Sequence, residues 1–239
     1  EPYRRQRQMC IRDRYNILWL GECIQAVLKN KGVPSAQRRQ PRRGCARRIG
    51  VSKMTYSMTV AGLQRELPIC KVADDLYIGA FICFGDAELT VACARDLLKL
   101  VENEEYDYLF TAEAKSIPLI HEMARQSGAK KYFIARKGPK AYMPDPIHVE
   151  DRSITTAGVQ KLYLGRDDAD LIRGKRILIM DDVISTGGSL KAMEALVQEA
   201  GGVVTGKVAV LAEGDAADRT DIKFLKKLPL FNADGTVKD

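Results

Sequence analysis

The chain has 239 residues, long enough to bury one full core, and 46% of them are apolar. Its formal net charge of +7 is unevenly placed: residues 1–53 hold 14 Lys and Arg against three Asp and Glu, and the remainder holds 24 against 28. No apolar run approaches the ~20 residues of a membrane-spanning helix, and the acidic body leaves any nucleic-acid partner to the head alone.

The head, residues 1–53, carries Arg4-Arg5, Arg38-Arg39, Arg42-Arg43 and Arg47-Arg48 around one apolar patch, Ile17 to Leu20. It reads as a nucleic-acid-binding arm, as an Arg-rich targeting peptide, or as non-native sequence. The third reading rests on Gln8 to Arg14, which resembles a translated sequencing adaptor, and it starts the protein at Met54 or Met58. On that reading the head is non-native or disordered and carries no function. The six cysteines (10, 23, 45, 70, 83, 93) form no C-x-x-C pair and lack His partners at zinc spacing. They read as reduced thiols of a cytoplasmic protein.

The body, 54–239, alternates strands and helices. Leu76 to Phe84 reads as a strand, with Asp86 as the cap of a helix whose apolar face is Leu89, Cys93, Leu97 and Val101. Tyr106 to Phe110 reads as a buried strand. The small-residue loop Thr111 to Ser116 follows it, then a helix over 117–127 with Pro118 in its first turn and Gly128 past its end. His121 has Arg125 where a zinc helix needs its second His, so it reads as a surface residue.

Tyr132 to Ala135 reads as a third strand. It delivers Arg136-Lys137-Gly138-Pro139-Lys140, three cations suited to a pyrophosphate or simply to water. Residues 141–165 lack clean periodicity at first and then suggest a hairpin arm, the pattern of a flexible lid.

Ile177 to Met180 reads as a strand buried on both faces. It ends in Asp181-Asp182, and the loop Ser185-Thr186-Gly187-Gly188-Ser189 follows. A helix with Leu190, Met193, Leu196 and Val197 inward then runs to Gly201. Converging N–H groups at a helix start favour a phosphate, and the glycines allow its close approach. Two carboxylates about 4 Å apart repel by roughly 1 kcal/mol in water and more in a dry cleft, so this pair suits a cation or a carbon becoming cationic. No Lys follows the glycines, which excludes a nucleoside-triphosphate loop, and no G-x-G-x-x-G occurs. Val203 to Leu211 reads as another strand. An α/β fold with a parallel sheet follows.

The apolar run, the acid pair and the Ser-Thr-Gly-Gly-Ser loop together resemble the signature of type I phosphoribosyltransferases, closest to the adenine enzymes. The resemblance covers about residues 58–239. It implies a parallel twisted sheet flanked by helices, with a small hood built from the two ends of the body. It implies transfer of ribose 5-phosphate from phosphoribosyl pyrophosphate (PRPP) to a purine, adenine favoured, with Mg²⁺ bridging substrate oxygens near Asp181 and Asp182, and a homodimer.

By the same resemblance Asp181 and Asp182 hold the ribose and stabilise the transition state. Ser185, Thr186, Gly187, Gly188 and Ser189 bind the 5-phosphate. Ala114, Lys115, Arg136, Lys137 and Lys140 bind pyrophosphate, and Phe84 stacks on the base. Ile154-Thr155-Thr156 is similar instead to lids of xanthine-type enzymes and purine-repressor relatives. A xanthine- or hypoxanthine-guanine-type enzyme and a non-catalytic PRPP- or purine-sensing regulator therefore stay open. The head is too Arg- and Pro-interrupted for the winged helix such regulators carry.

Overall fold

A computed structural model describes residues 54–151 and 160–238; the head and Ile154 to Thr156 lie outside the described residues. The body opens with β1 (Thr55–Val60), β2 (Leu63–Ala73) and β3 (Leu76–Gly79). Next come α1 (Ala87–Leu100), β4 (Tyr108–Ala112), α2 (Ile117–Ser127) and β5 (Tyr132–Ala135). A hairpin of β6 (Ile147–Asp151) and β7 (Gln160–Leu164) precedes α3 (Arg166–Ile172). Then follow β8 (Arg176–Ile184), α4 (Gly188–Glu199), β9 (Val203–Glu213), a 3₁₀ turn (Gly214–Asp218), β10 (Lys223–Leu228), β11 (Leu230–Phe231) and β12 (Val237–Lys238).

The core sheet has the order β10-β9-β8-β4-β5, and every neighbouring pair is parallel. Its side chains alternate between two cores. Leu109, Leu178, Met180 and Val208 pack with α1, α2 and the hood, while Phe110, Ile177, Ile179 and Ala209 pack with α3, α4 and the hairpin. Burial on both faces is why these strands read as unbroken apolar runs.

The hood is a second sheet, β1-β2-β3-β11-β12, which joins the two ends of the body as expected. Its first hairpin turns at Ala61 and Gly62, both at positive φ (51° and 81°), the geometry that matches strand twist in a two-residue turn. Arg65 on β2 pairs with Asp86 at 2.7 Å and with Glu88 at 2.8 Å. Asp86 also caps α1 by accepting from the Leu89 N–H at 3.0 Å. One carboxylate thus starts a core helix and fastens the hood to it.

Four strands have other limits than the sequence suggests, and one of them, β9, runs past Leu211 to Glu213. β3 stops at Gly79, not Phe84, because the chain there leaves the hood sheet after the Ala80 N–H bonds Pro68 O at 2.8 Å. Beyond it Phe81 and Cys83 are buried and Ile82 and Phe84 exposed, so the run is extended without strand partners. β4 sits two residues later than expected. β8 does not end at the acids: it runs on to Ile184, because β9 also continues and pairs Val183 with Leu211 and Ile184 with Ala212.

Among the described residues no helix is long and apolar enough to cross a membrane. Cys70, Cys83 and Cys93 are free thiols, and burial pushes Cys83 and Cys93 up to about 12.

A scaffold carboxylate supplies a pH-dependent test. Glu122 on α2 accepts from Arg125 at 2.8 and 2.7 Å and from Gln126 at 2.8 Å, and Gln126 also reaches Val91 O on α1 at 3.0 Å. These donors hold Glu122 down to about 2. A depressed carboxyl contributes stability above its unfolded value and loses it as pH falls through its folded one. Glu122→Gln is expected to cost about 1–3 kcal/mol in urea unfolding at neutral pH. The deficit should shrink as pH falls from 5 toward 2.

Candidate functional site

From β4 the chain moves outward to β5, and from β8 it moves the other way to β9 and β10. The carboxyl ends of β4 and β8 therefore flank the point where strand order reverses, the usual ligand crevice of an open α/β sheet. The two strands pair through Phe110↔Ile179. Thr111 Oγ1 then bonds Met180 O at 2.8 Å, and the chains part into two loops, 112–116 and 185–187. Between them opens a cleft of about 430 Å³, lined by Ala114, Lys115, Ser116, Lys137, Asp181 and Asp182 among others.

The acid pair is knotted to the facing loop by one hydroxyl. Ser116 Oγ lies 2.7 Å from Asp181 Oδ1 and 3.3 Å from Asp182 Oδ1, and accepts the Asp182 N–H at 3.0 Å. The Asp182 N–H also reaches Asp181 Oδ1 at 2.9 Å. Burial, then the adjacent Asp182 charge, raises the Asp181 carboxyl above its ordinary value. Asp182 Oδ2 is buried without a hydrogen-bond donor, and its nearest cation is Lys115 Nζ at 3.6 Å. The pair is thus short of positive charge on its cleft side.

The glycine loop forms its own hollow of about 110 Å³, running from Asp181 along Ser185 to Leu190. Gly187 caps α4 at φ 79°, a conformation open to glycine without strain, and no side chain caps that helix start. Its first N–H groups stay available to an anion. Thr186 and Ser189 are exposed and Ser185 half-buried. Behind Ser185 lies Glu213, a buried carboxyl at the end of β9 that burial raises and the Ser185 hydroxyl draws back down.

The basic loop is gathered by Glu113. Its carboxylate accepts the Lys137 N–H at 2.6 Å and stands 2.9 Å from Arg136 Nε and 3.9 Å from Lys140 Nζ. The Arg136 contact lacks hydrogen-bond alignment. Lys115 and Lys137 face the cleft. Arg136 instead lines a neighbouring hollow of about 280 Å³ with Tyr132 and Tyr142, and its backbone exchanges two 2.8 Å bonds with Tyr163 of the hairpin. Lys140 stays on Glu113, outside the lining of the cleft. Phe84 is 48% exposed and also outside that lining. The Cys83 thiol beside it lies 3.6 Å from Lys115 O, so Phe84 borders the 112–116 loop.

Two loops at helix starts, an acid pair between them and cations from a third strand form the arrangement that the sequence resemblance implies. A family model described as a phosphoribosyl transferase domain matches residues 87–234. The chain belongs to the phosphoribosyltransferase family.

Among similar proteins, the adenine phosphoribosyltransferase of Corynebacterium jeikeium is 34% identical over 140 residues, which span 59% of this chain and 64% of that protein. The chain thus spans less than two thirds of that relative. The hypoxanthine/guanine phosphoribosyltransferase of Methanotorris igneus is 30% identical, over 60% of this chain and 76% of that protein. The crystal structure of the adenine phosphoribosyltransferase from Rhodothermus marinus matches with a TM-score of 0.51 at 21% identity, covering 73% of this chain and 94% of that one. That likeness is one of fold.

Mg²⁺ is the ion this family resemblance implies. No group of three or more His, Cys, Asp and Glu able to hold a metal occurs among the described residues. The donor set that is present, two carboxylates with one buried oxygen lacking a donor, fits an ion that takes one or two protein oxygens and the rest from phosphates and water.

Two contributors escaped the sequence reading: Ser116, which ties the acids together, and Glu113, which gathers the basic loop. A signal for Glu113 existed. It is the one carboxylate in a small-residue loop, and a run of cations ends the neighbouring strand.

Proposed function

We propose that the protein transfers ribose 5-phosphate from PRPP to a purine base, adenine favoured, and releases pyrophosphate in purine salvage. The observation that carries this reading is the Ser116–Asp181–Asp182 cluster set between two phosphate-sized loops at the reversal point of the sheet. The α4 start fixes the 5-phosphate, and with it the reacting carbon. Asp181 and Asp182 accept from the ribose hydroxyls and oppose the positive charge that grows on the ring as the bond to pyrophosphate lengthens.

Lys115 and Lys137 take the leaving group's charge, with Arg136 and Lys140 held near by Glu113. Asp181 or Asp182 would hold Mg²⁺, and the ion would supply charge neutralisation for the departing group. Phe84 offers an exposed ring for stacking on the base, and the hairpin excludes water by covering the cleft, of which Lys161 and Leu162 form one wall. The reading includes a homodimer, and the free thiols suit the cytoplasm.

A second base reading has its own support, since several similar proteins are hypoxanthine/guanine enzymes. Nucleotide formation with adenine, hypoxanthine, guanine and xanthine at saturating PRPP and Mg²⁺ separates the two. Adenine is expected to exceed the others in kcat/KM by at least roughly tenfold, a small fraction of the discrimination a hydrogen-bonding site can reach. Preference for a 6-oxopurine would transfer the assignment to the second reading.

A further inference from the structure

The glycine loop is braced from behind by a residue that the chemistry above does not use. A Cβ built on Gly187 would stand 2.7 Å from Arg219 Nη1, so a guanidinium fills the space a side chain would occupy at the cap of α4. Arg219 follows the 3₁₀ turn after β9 and is far from Gly187 in sequence. Asp221 grips its other two nitrogens, Nε at 2.9 Å and Nη2 at 2.7 Å, and this fork fixes the plane of the group. Nη1 is left directed at the loop.

Asp221 is itself fixed. Lys207 on β9 reaches it at 2.6 Å and reaches Glu194 on α4 at 2.7 Å. The chain of charges Glu194–Lys207–Asp221–Arg219 therefore leaves α4 at its second turn and returns to it at its cap. Arg219 is held by Asp221 above its ordinary value and stays charged. It does not line the hollow that would take the phosphate, so it acts through Gly187.

We propose that Arg219 is a positioning residue for the 5-phosphate. It holds Gly187 in its left-handed conformation, so that the N–H groups of residues 187–189 are aimed before the ligand arrives, and it sets a fixed positive charge behind them. A Lys cannot substitute, because one ammonium cannot fork onto Asp221 and reach Gly187 together. The inference rests on the reading of loop 185–189 as the 5-phosphate site.

The test is equilibrium binding to the full chain of two probes, ribose 5-phosphate and inorganic pyrophosphate with Mg²⁺, for wild type, Arg219→Lys, Arg219→Ala and Asp221→Asn. Both Arg219 variants are expected to bind ribose 5-phosphate roughly tenfold to a hundredfold more weakly, the cost of a misplaced binding group. Pyrophosphate binding should change less than about twofold, and Asp221→Asn should fall between wild type and Arg219→Ala. In turnover the loss should appear in the KM for PRPP more than in kcat. Arg219→Lys keeps the charge and most of the aliphatic stem, so it stays informative if Arg219→Ala does not fold.

Wild type that binds ribose 5-phosphate, with Arg219→Lys binding it equally, would overturn the inference and leave the site intact. So would equal losses for both probes, which mark a general structural role. Wild type that fails to bind ribose 5-phosphate would overturn the site reading as well.

Discussion

The variant Asp181→Asn with Asp182→Asn is expected to lose roughly a thousandfold or more in kcat at saturating PRPP, while its circular dichroism stays that of wild type. Asn keeps the size and one acceptor oxygen of each side chain, so the Ser116 contacts at 2.7 and 3.3 Å can persist. What disappears is negative charge beside the ribose ring, worth most where the charge of the transition state develops.

Stability should move the other way. The Asp181 carboxyl is raised by burial and by Asp182. A raised carboxyl contributes stability fully below its unfolded value, near pH 4, and loses it as pH climbs through the folded one. Without Mg²⁺, the double variant should therefore melt higher than wild type at neutral pH, and the gap should close on acidification toward pH 4. A site that is less stable than its neutral copy but far more active is one where charge is kept for chemistry.

The second large effect is expected at the cap of α4. Gly187 lies at φ 79° and is buried. Gly187→Val brings a β-branched side chain into a left-handed conformation and against Arg219. The expected cost is about 2–4 kcal/mol in urea unfolding. Ribose 5-phosphate affinity should fall by at least roughly a hundredfold, because the N–H groups that hold the phosphate turn with the loop. Pyrophosphate affinity, read at Lys115 and Lys137, should be much less affected. A variant that folds normally and keeps its ribose 5-phosphate affinity would remove loop 185–189 from the site.

Much of the core was legible because each signal there is local. Ile177 to Met180 is apolar on both faces, Gly128 and Gly201 stand at positive φ just past their helices, and Asp86 caps the helix it precedes. The hood was harder. Its strands carry exposed Glu66 and Lys71, and it is closed by β11 and β12 from the far end of the chain, a pairing no short window contains. The extent of β8 was misjudged because polar side chains at Asp181 and Asp182 look like a strand end, whereas backbone pairing with β9 decides it.

In the site, the acids and glycines announce themselves by type. Ser116 does not: it is one of many serines, and only the fold sets it against residues 65 and 66 positions away. The basic loop shows the converse. Arg136, Lys137 and Lys140 look equivalent in sequence, but strand alternation and Glu113 send Lys137 to the cleft and Arg136 to the hollow beside it.

The most direct measurement is pyrophosphate release from PRPP and Mg²⁺ in the presence of purine bases, with wild type and the Asp181→Asn, Asp182→Asn double variant side by side. The predicted result is base-dependent release by wild type, accompanied by the purine 5′-monophosphate, and near-background release by the variant. PRPP binding with no release for any base, or equal release by the two proteins, would contradict the assignment of this cleft as a phosphoribosyl-transfer site.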